Sequence, residues 1–351
     1  MASGSLSAPL VVCVRGPSRS GKSTLCESLI AAIGDAARVA WIKRTHHALD
    51  LPEKSSGRVW AQSPATMVMR GPDRLQITLP TIAPEAGPLV ATVSPDIDLV
   101  LLETHTAEPF PSIVSTALDP EADEQVLARF SLDTARADAH PIAAALIAML
   151  PPDRTLARAL RVAARAHGGH ACAGIVLGTR LALAGAAALG IEIPDTRKRL
   201  IVSVETDRCA VDAIQALTGC RPGKRTLRLL DYGKLAATFL DQPNGRAVRV
   251  AVRGDARERA TPAQGEDRTD AQIRTYMDLP CEELLTIIEV PFALDPLDLP
   301  GKPARRVHCR RCGEEVSDGR EVVTEVGDHC RPCAAELGVL EGMEGRLAPW
   351  R

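Results

Sequence analysis

An α/β domain, followed by an α+β domain and a small cysteine module, is the fold class this sequence predicts. Three observations predict it. Over the first third of the chain, short apolar runs alternate with helical and turn-rich segments. Ala- and Leu-rich helical stretches, then successive strand-like runs, fill the middle. Two C-x-x-C pairs lie near the end.

Residues 9–15 (PLVVCVR) suit a strand buried in a parallel sheet, because their apolar run is continuous rather than alternating. GPSRSGKS follows, and a helical pattern then runs from Thr24 to Ile33 and stops at Gly34. ARVAWIKR reads as a second strand, and THHALDLPEKSSGR as a polar loop. ATMVM and RLQITL are short strand candidates, and DIDLVLLE, Asp96 to Glu103, has the run of a central strand. The charged stretch after Asp119 closes the domain, and residues 133–141 read as a linker.

The second domain is expected from Ile142, with helices up to Ala166 and from Gly174 to Leu189. IVSVE is a strand, and CAVDAIQALTG a helix with its stop at Gly219. TLRLLDYG, LAATFLD and AVRVAVR read as successive strands, RGDARERATPAQGEDRTD as an exposed, mobile excursion, and LLTIIEVPF as a further strand. The expected division is therefore 1–132, a linker at 133–141, then 142–303 and 304–351, with no internal repeat.

Composition sets limits. The 351 residues suit two domains plus a small module. Aromatics are only 3%, so the cores must rest on Ala, Leu, Val and Ile. A net charge of −2 argues against whole-chain affinity for nucleic acid or an anionic membrane, and the basic RKR at Arg197 to Arg199 reads as a solvated face. No apolar run reaches the roughly 18–20 residues that span a bilayer. The N-terminus lacks a basic n-region and reads as a first strand rather than a signal peptide. The expected compartment is the cytoplasm, where the 10 cysteines suit metal or redox chemistry better than disulfides.

GPSRSGKS, residues 16–23, matches G-x-x-x-x-G-K-[ST]. The glycines let the backbone curl so that its N–H groups point at phosphate oxygens, and the following helix adds its positive end. Gly16, Ser18, Ser20, Gly21, Lys22, Ser23 and Thr24 are the candidate nucleotide-binding residues. Lys22 would reach the terminal phosphates and Ser23 would hold Mg²⁺. Glu103, ending its strand, is the candidate acid for that ion, with Asp98 a strand-start residue; Lys22 and Glu103 are the candidate catalytic pair. The expected class is thus an α/β P-loop NTPase domain.

GPSRSGKSTL, WIKRTHHALDLPEKSS and DLVLLE together resemble the MobB family, GTP-binding adapters of molybdopterin-guanine dinucleotide biosynthesis. The THH doublet is the more specific sign, and the resemblance gives His46 and His47 a role at the nucleotide, a pterin phosphate or a partner. Arg44 stands where the family often has His, Glu53 and Ser55 replace the Gly and Asp of its GKDS, and ETHT replaces its EGFK.

HGGHAC places His167, His170 and Cys172 close together, and TDRCAVDAIQALTGC supplies Cys209 and Cys220. His and thiolate ligands suit Zn²⁺, although packing is the alternative for any buried cysteine. Cys209 is expected at a helix N-terminus, where the dipole lowers a thiol's pKa. From about 142 to 335 the chain is similar to the FmdE family, named after a component of formylmethanofuran dehydrogenase. The similarity runs through H-x-C-x-G, TD-x-C-x-VDAIQ-x-LTGC, G-K and DYGK. It implies an α+β metal-binding domain with His170, Cys172, Cys209 and Cys220 as candidate ligands of a second metal, and His167 in reserve. The family's HGH-x-CPG is HGGHACAG here, so His167 is displaced by one position and Ala173 replaces proline. Asp207 and Lys224 are candidate polar groups of that site, and Lys234 an exposed residue.

Cys309, Cys312, Cys330 and Cys333 form C-x₂-C-x₁₇-C-x₂-C, the spacing of a tetrahedral zinc site. Four thiolates leave no open coordination place, so the ion is structural, in a zinc-ribbon/treble-clef-like module. His308 and His329 flank the pairs as surplus ligands.

The two resemblances together imply a GTP–Mg²⁺-binding adapter of molybdenum-cofactor maturation, with weak GTP hydrolysis open to it. Expected partners are molybdopterin or its guanine dinucleotide, cofactor-biosynthesis proteins or a molybdenum/tungsten oxidoreductase, and a second copy in a homodimer. The alternatives are a P-loop kinase, a metal-dependent or dithiol redox second domain, and a purely protein-interaction metal module.

Overall fold

The computed structural model describes residues 8–44, 67–70, 75–78 and 86–338. They form two compact units that divide between Arg165 and Ala166.

In the first unit, β1 (Leu10–Arg15) runs into a loop and α1 (Lys22–Ile33). Then come β2 (Val39–Lys43), the antiparallel hairpin β3 (Met67–Arg70) and β4 (Leu75–Thr78), and α2 (Ala86–Ala91). β5 (Leu99–Thr104), β6 (Ser112–Ser115), β7 (Val126–Phe130), α3 (Ala135–Met149) and α4 (Arg154–Ala166) complete it, the last residue of α4 opening the second unit. The main sheet has the order β2-β5-β1-β6-β7, and every pair is parallel. β1 and β5 are central, which explains their unbroken apolar runs. Val12 and Val14 face the core with Leu25, Leu29 and Ile142, while Val11 and Cys13 pack with Val100 and Leu102 in a second cluster.

Residues 133–141, expected as a linker, are mostly the first half of α3. Ala135, Ala139, Ile142, Ala143 and Leu146 recur at helical spacing and are buried in the first core. Pro141 sits inside the helix without ending it. The domain boundary correspondingly lies later than Ile142, after Arg165. Asp98 at the start of β5 takes hydrogen bonds from Arg158 and from Arg161, the latter at 3.1 Å. Burial raises its pKa, but Arg158, the Arg38 amide and Arg161 outweigh that and hold it below the usual range.

The second unit begins with α5 (Ala173–Leu189), β8 (Leu200–Val204), α6 (Ala210–Thr218), β9 (Leu227–Leu229), β10 (Ala236–Asp241) and β11 (Arg246–Val252). α7 (Ala256–Arg259), α8 (Arg268–Asp278), α9 (Cys281–Leu284) and β12 (Leu285–Glu289) follow. The sheet order is β12-β11-β10-β8-β9, antiparallel except between β8 and β9. α5 lies so close to β10 that a Cβ on Gly185 would come within 2.4 Å of the Phe239 ring. The stretch 253–270, expected as an exposed excursion, contains α7 and buried Ala256 and Ala260. α8 is capped at both ends. Asp267 accepts from the amides of Thr269 and Asp270, and Arg180 donates to the carbonyls of Tyr276, Met277 and Leu279.

Two hairpins and a helix end the unit: β13 (Arg306–His308) with β14 (Glu315–Ser317), β15 (Val322–Thr324) with β16 (Gly327–His329), and α10 (Arg331–Glu336). Asp318 pairs with Arg225, and Asp298 bridges Arg228, at 2.8 Å, and Arg320. These ion pairs tie the small module to the sheet beside it.

Candidate functional site

The loop between β1 and α1 is shaped by two glycines. A Cβ on Gly16 would lie 2.5 Å from Ser20 Oγ and 2.7 Å from Ser115 Cβ. Gly21, the α1 N-cap, has φ 91°, and a Cβ there would meet the Leu132 backbone at 2.9 Å. Arg19 between them is also left-handed, at φ 62°. The loop borders a cavity of about 710 Å³ lined by Ser18, Ser20, Lys22, Ser23, Thr24, Lys43 and Glu103 among others. Its floor is the start of α1, which has no acidic residue in its first turn to oppose an anion.

The charged groups converge there. Lys22 is 6% exposed, and its Nζ donates to the carbonyls of Gly16 at 2.9 Å and Pro17 at 2.6 Å. Burial pulls its pKa down. Ser23 Oγ donates to Glu103 Oε1 at 2.8 Å, and Lys43 Nζ is 3.2 Å from the same oxygen. Two buried oxygens, Glu103 Oε2 and Ser20 Oγ, have no protein partner. Buried polar atoms are nearly always hydrogen-bonded, so this pair fits a site built for phosphate and a hydrated divalent cation. Behind the loop, Arg15 makes a two-pronged ion pair with buried Glu124, with its Nε at 2.8 Å, and so braces the opposite side. Asp98 lies at the strand's other end, in the arginine cluster. His46 and His47 lie outside the described residues. Lys43 carries no mark in the sequence; no motif contains it, and only the pairing of β2 with β5 brings it here.

A second group forms where α5 crosses α6. Gly178 permits the crossing, since a Cβ there would lie 2.5 Å from the Ala210 carbonyl. Cys172 and Cys209 are the N-caps of the two helices, and the crossing therefore places their thiols together. His167 joins them, with all three ligand atoms within 4.8 Å of one another. The turn that returns His167 contains Gly168 and Gly169, at φ 93° and 92°. Its Nδ1 lies 2.6 Å from Asp212 Oδ2, a carboxylate contact that would orient the ring and leave Nε2 for an ion. Burial raises the Cys209 pKa, and the neighbouring Cys172 raises it further.

The expected set His170, Cys172, Cys209 and Cys220 is not gathered as one. His170 is exposed, with its ring centroid 5.0 Å from that of His167. Cys220 is buried and donates to the Leu200 carbonyl at 3.3 Å, as a core thiol does. Asp207 is exposed and pairs with Arg208, and Lys224 and Lys234 are exposed. Three protein ligands leave a fourth position open. Ala173 and Gly174, beside Cys172, help line a cavity of about 360 Å³ that also touches Arg253, Arg257 and Tyr276.

Cys309, Cys312, Cys330 and Cys333 converge with their sulfurs within 4.8 Å of one another. Gly313, at φ 77°, donates back to the Cys309 carbonyl at 2.8 Å and closes the first knuckle. Cys330 starts α10, which carries Cys333 in its first turn. Backbone amides of Cys312 and Cys330 bring the Cys309 pKa down to about 6, and sharing with Cys330 pushes Cys333 up to about 12. One thiolate among four close sulfurs raises its neighbours, and a cation at the centre relieves that repulsion. His329 is buried against the Gly327 carbonyl and His308 is exposed; neither joins the cluster. Two hairpins followed by a helix match the treble-clef form of the expected module.

These sites define the class: a P-loop α/β domain joined to an α+β domain with a His–Cys–Cys group and a four-cysteine module. Comparison with known proteins names the parts. Residues 11–129 match the family described as molybdopterin guanine dinucleotide synthesis protein B, MobB. Residues 167–286 match the family described as FmdE, molybdenum formylmethanofuran dehydrogenase operon. The chain thus combines a MobB-like and an FmdE-like segment, which supports a role connected with the molybdenum or tungsten cofactor.

A protein of Archaeoglobus fulgidus described as a probable S-adenosyl-L-methionine-binding protein is 33% identical over 214 residues, covering 54% of this chain and 56% of its own length. The chain therefore spans little more than half of that relative. Among solved structures, an FmdE-like protein of tungsten formylmethanofuran dehydrogenase from Syntrophus aciditrophicus aligns with TM-score 0.35 and 23% identity, over 51% of this chain and 91% of its own. Bacillus subtilis MobB aligns with TM-score 0.31 and 15% identity, over 41% and 99%. Among the described residues, no helix is long and apolar enough to cross a membrane.

Proposed function

We propose that this chain is a GTP-binding adapter in the formation or delivery of the molybdopterin-guanine dinucleotide cofactor. It works in the cytoplasm and hands the cofactor to a molybdenum or tungsten oxidoreductase. The observation that carries the proposal is the phosphate-loop corner, where Lys22, Ser23 and Glu103 surround two unpartnered buried oxygens in a MobB-like segment. Lys22 binds the terminal phosphates, and the loop amides hold the rest of the tail. Ser23 and Glu103 would hold Mg²⁺, which supplies counter-charge to the phosphates when bound. The geometry favours binding over turnover, because no described side chain is placed to orient an attacking water.

In the FmdE-like segment, His167, Cys172 and Cys209 hold a second zinc-like ion with an open position, and the four cysteines hold a structural zinc. The four-thiol cluster fits zinc by ligand type and number. The open site and its cavity face the client enzyme or a cofactor intermediate.

Calorimetric titration of the full chain tests the nucleotide reading. GTP with Mg²⁺ binds more tightly than ATP, and Lys22→Ala weakens GTP binding by about tenfold or more. Equal, weak binding of both nucleotides by wild type and variant would remove the adapter reading. A second reading concerns the FmdE-like segment alone. Its cavity, with the description of the Archaeoglobus relative, favours S-adenosylmethionine as a ligand there. Titration with that compound decides it, and absence of binding eliminates it.

A further inference from the structure

Lys43 belongs to neither the phosphate-loop motif nor the proposed acid, yet it touches both. It ends β2 in register with Glu103 on β5. Residues in register on parallel strands point to the same face, so the ammonium and the carboxylate must meet. Lys43 Nζ lies 3.2 Å from Glu103 Oε1 and 3.2 Å from Ser23 Oγ. Ser23 Oγ in turn donates to the same carboxylate oxygen at 2.8 Å, closing a triangle. The serine hydroxyl and the strand-end acid are the two groups a divalent cation uses beside a phosphate loop. In this structure an ammonium sits on both.

Charge balance explains why. Glu103 is 3% exposed, and a buried carboxylate needs a partner. Lys22 does not provide it, because its ammonium is turned to the Gly16 and Pro17 carbonyls. Lys43 is also free to leave. Its side chain is 42% exposed, and its Nζ lies 5.8 Å from the centre of the exposed Trp41 ring, which offers a second resting surface.

We propose that Lys43 is a resident cation that holds the metal corner of the empty site and must swing off it before a divalent ion is bound. The proposal rests on the nucleotide-site reading above. Arriving phosphates give the ammonium a new anionic partner and release Ser23 and Glu103, so divalent binding is coupled to nucleotide. Free Mg²⁺ is excluded until then.

Mn²⁺ is the probe, followed by paramagnetic resonance on the nucleotide-free, zinc-saturated full chain. Lys43→Met binds Mn²⁺ about tenfold or more tightly than wild type, because the competing charge is gone. Lys43→Arg keeps the charge and stays near wild type. Adding Glu103→Gln to Lys43→Met removes the gain and locates the ion. Lys43→Gln is measured beside Lys43→Met, so poor folding of one leaves the comparison intact. Equal Mn²⁺ affinity in wild type and both neutral variants overturns the proposal. GTP titration of the same samples reports separately on the nucleotide reading: no GTP uptake with a retained Mn²⁺ gain defeats that reading and not the competition.

Discussion

The four-cysteine module and the His167–Cys172–Cys209 group both gather thiols, but they are held by opposite means. In the module, each ligand pair is local: two C-x-x-C knuckles form within a few residues, and four sulfurs close the site. In the inner group, Cys172 and Cys209 belong to different helices and meet only because Gly178 lets α5 and α6 touch. The first is organised by its ion, as small metal modules are. The second is organised by helix packing and would persist without one, with a coordination place left over. The difference separates a site that holds structure from a site able to take a ligand.

The largest effect expected from this contrast is loss of the outer ion. Cys330→Ser releases it and unfolds the module around it, since structural zinc supplies about 10–16 kcal/mol in isolated zinc-finger peptides. Hydrogen exchange then shows lost protection from β13 to α10, with the sheet from β8 to β12 still protected. Full protection of the hairpins without metal would show that the module folds by packing instead.

Next comes Gly178→Ala. The added methyl overlaps the Ala210 carbonyl and forces the helices apart, destabilising the second unit by about 1–3 kcal/mol in urea. The same variant loses the inner ion and keeps the outer one. A variant that keeps both would mean the crossing does not set the thiol geometry.

Asp212→Asn is milder. The side chain keeps its size but no longer accepts as a carboxylate from His167, and inner-site affinity falls about 10–100-fold. Chelator competition should show the four-cysteine site unchanged. The smallest effect is that of Cys220→Ser. The hydroxyl can still donate to the Leu200 carbonyl, so stability moves by about 1 kcal/mol and metal content stays the same. A drop in metal content would make Cys220 a ligand after all.

The same local-versus-distant contrast governs what could be read from the sequence. The C-x-x-C pairs and GPSRSGKS are legible because their spacing is itself the geometry: the knuckle and the loop each form within one short segment. The strand run DIDLVLLE is legible because a central parallel strand must be apolar on both faces. Lys43 is silent in sequence, since its meaning comes from a register with β5, far along the chain. The choice between His167 and His170 depends on a double-glycine turn whose path no spacing rule specifies. α3 is hidden by Asp133, Asp138 and Pro141, while much of its buried face is alanine, which marks a helical period weakly.

Native mass spectrometry of the full chain, purified without chelator and mixed with GTP and Mg²⁺, tests the central claim most directly. The account predicts a mass increment of one guanine nucleotide on a chain already carrying a pair of zinc-sized ions, with the nucleotide increment absent in Lys22→Ala. A wild-type chain that takes up no purine nucleotide under those conditions would contradict it.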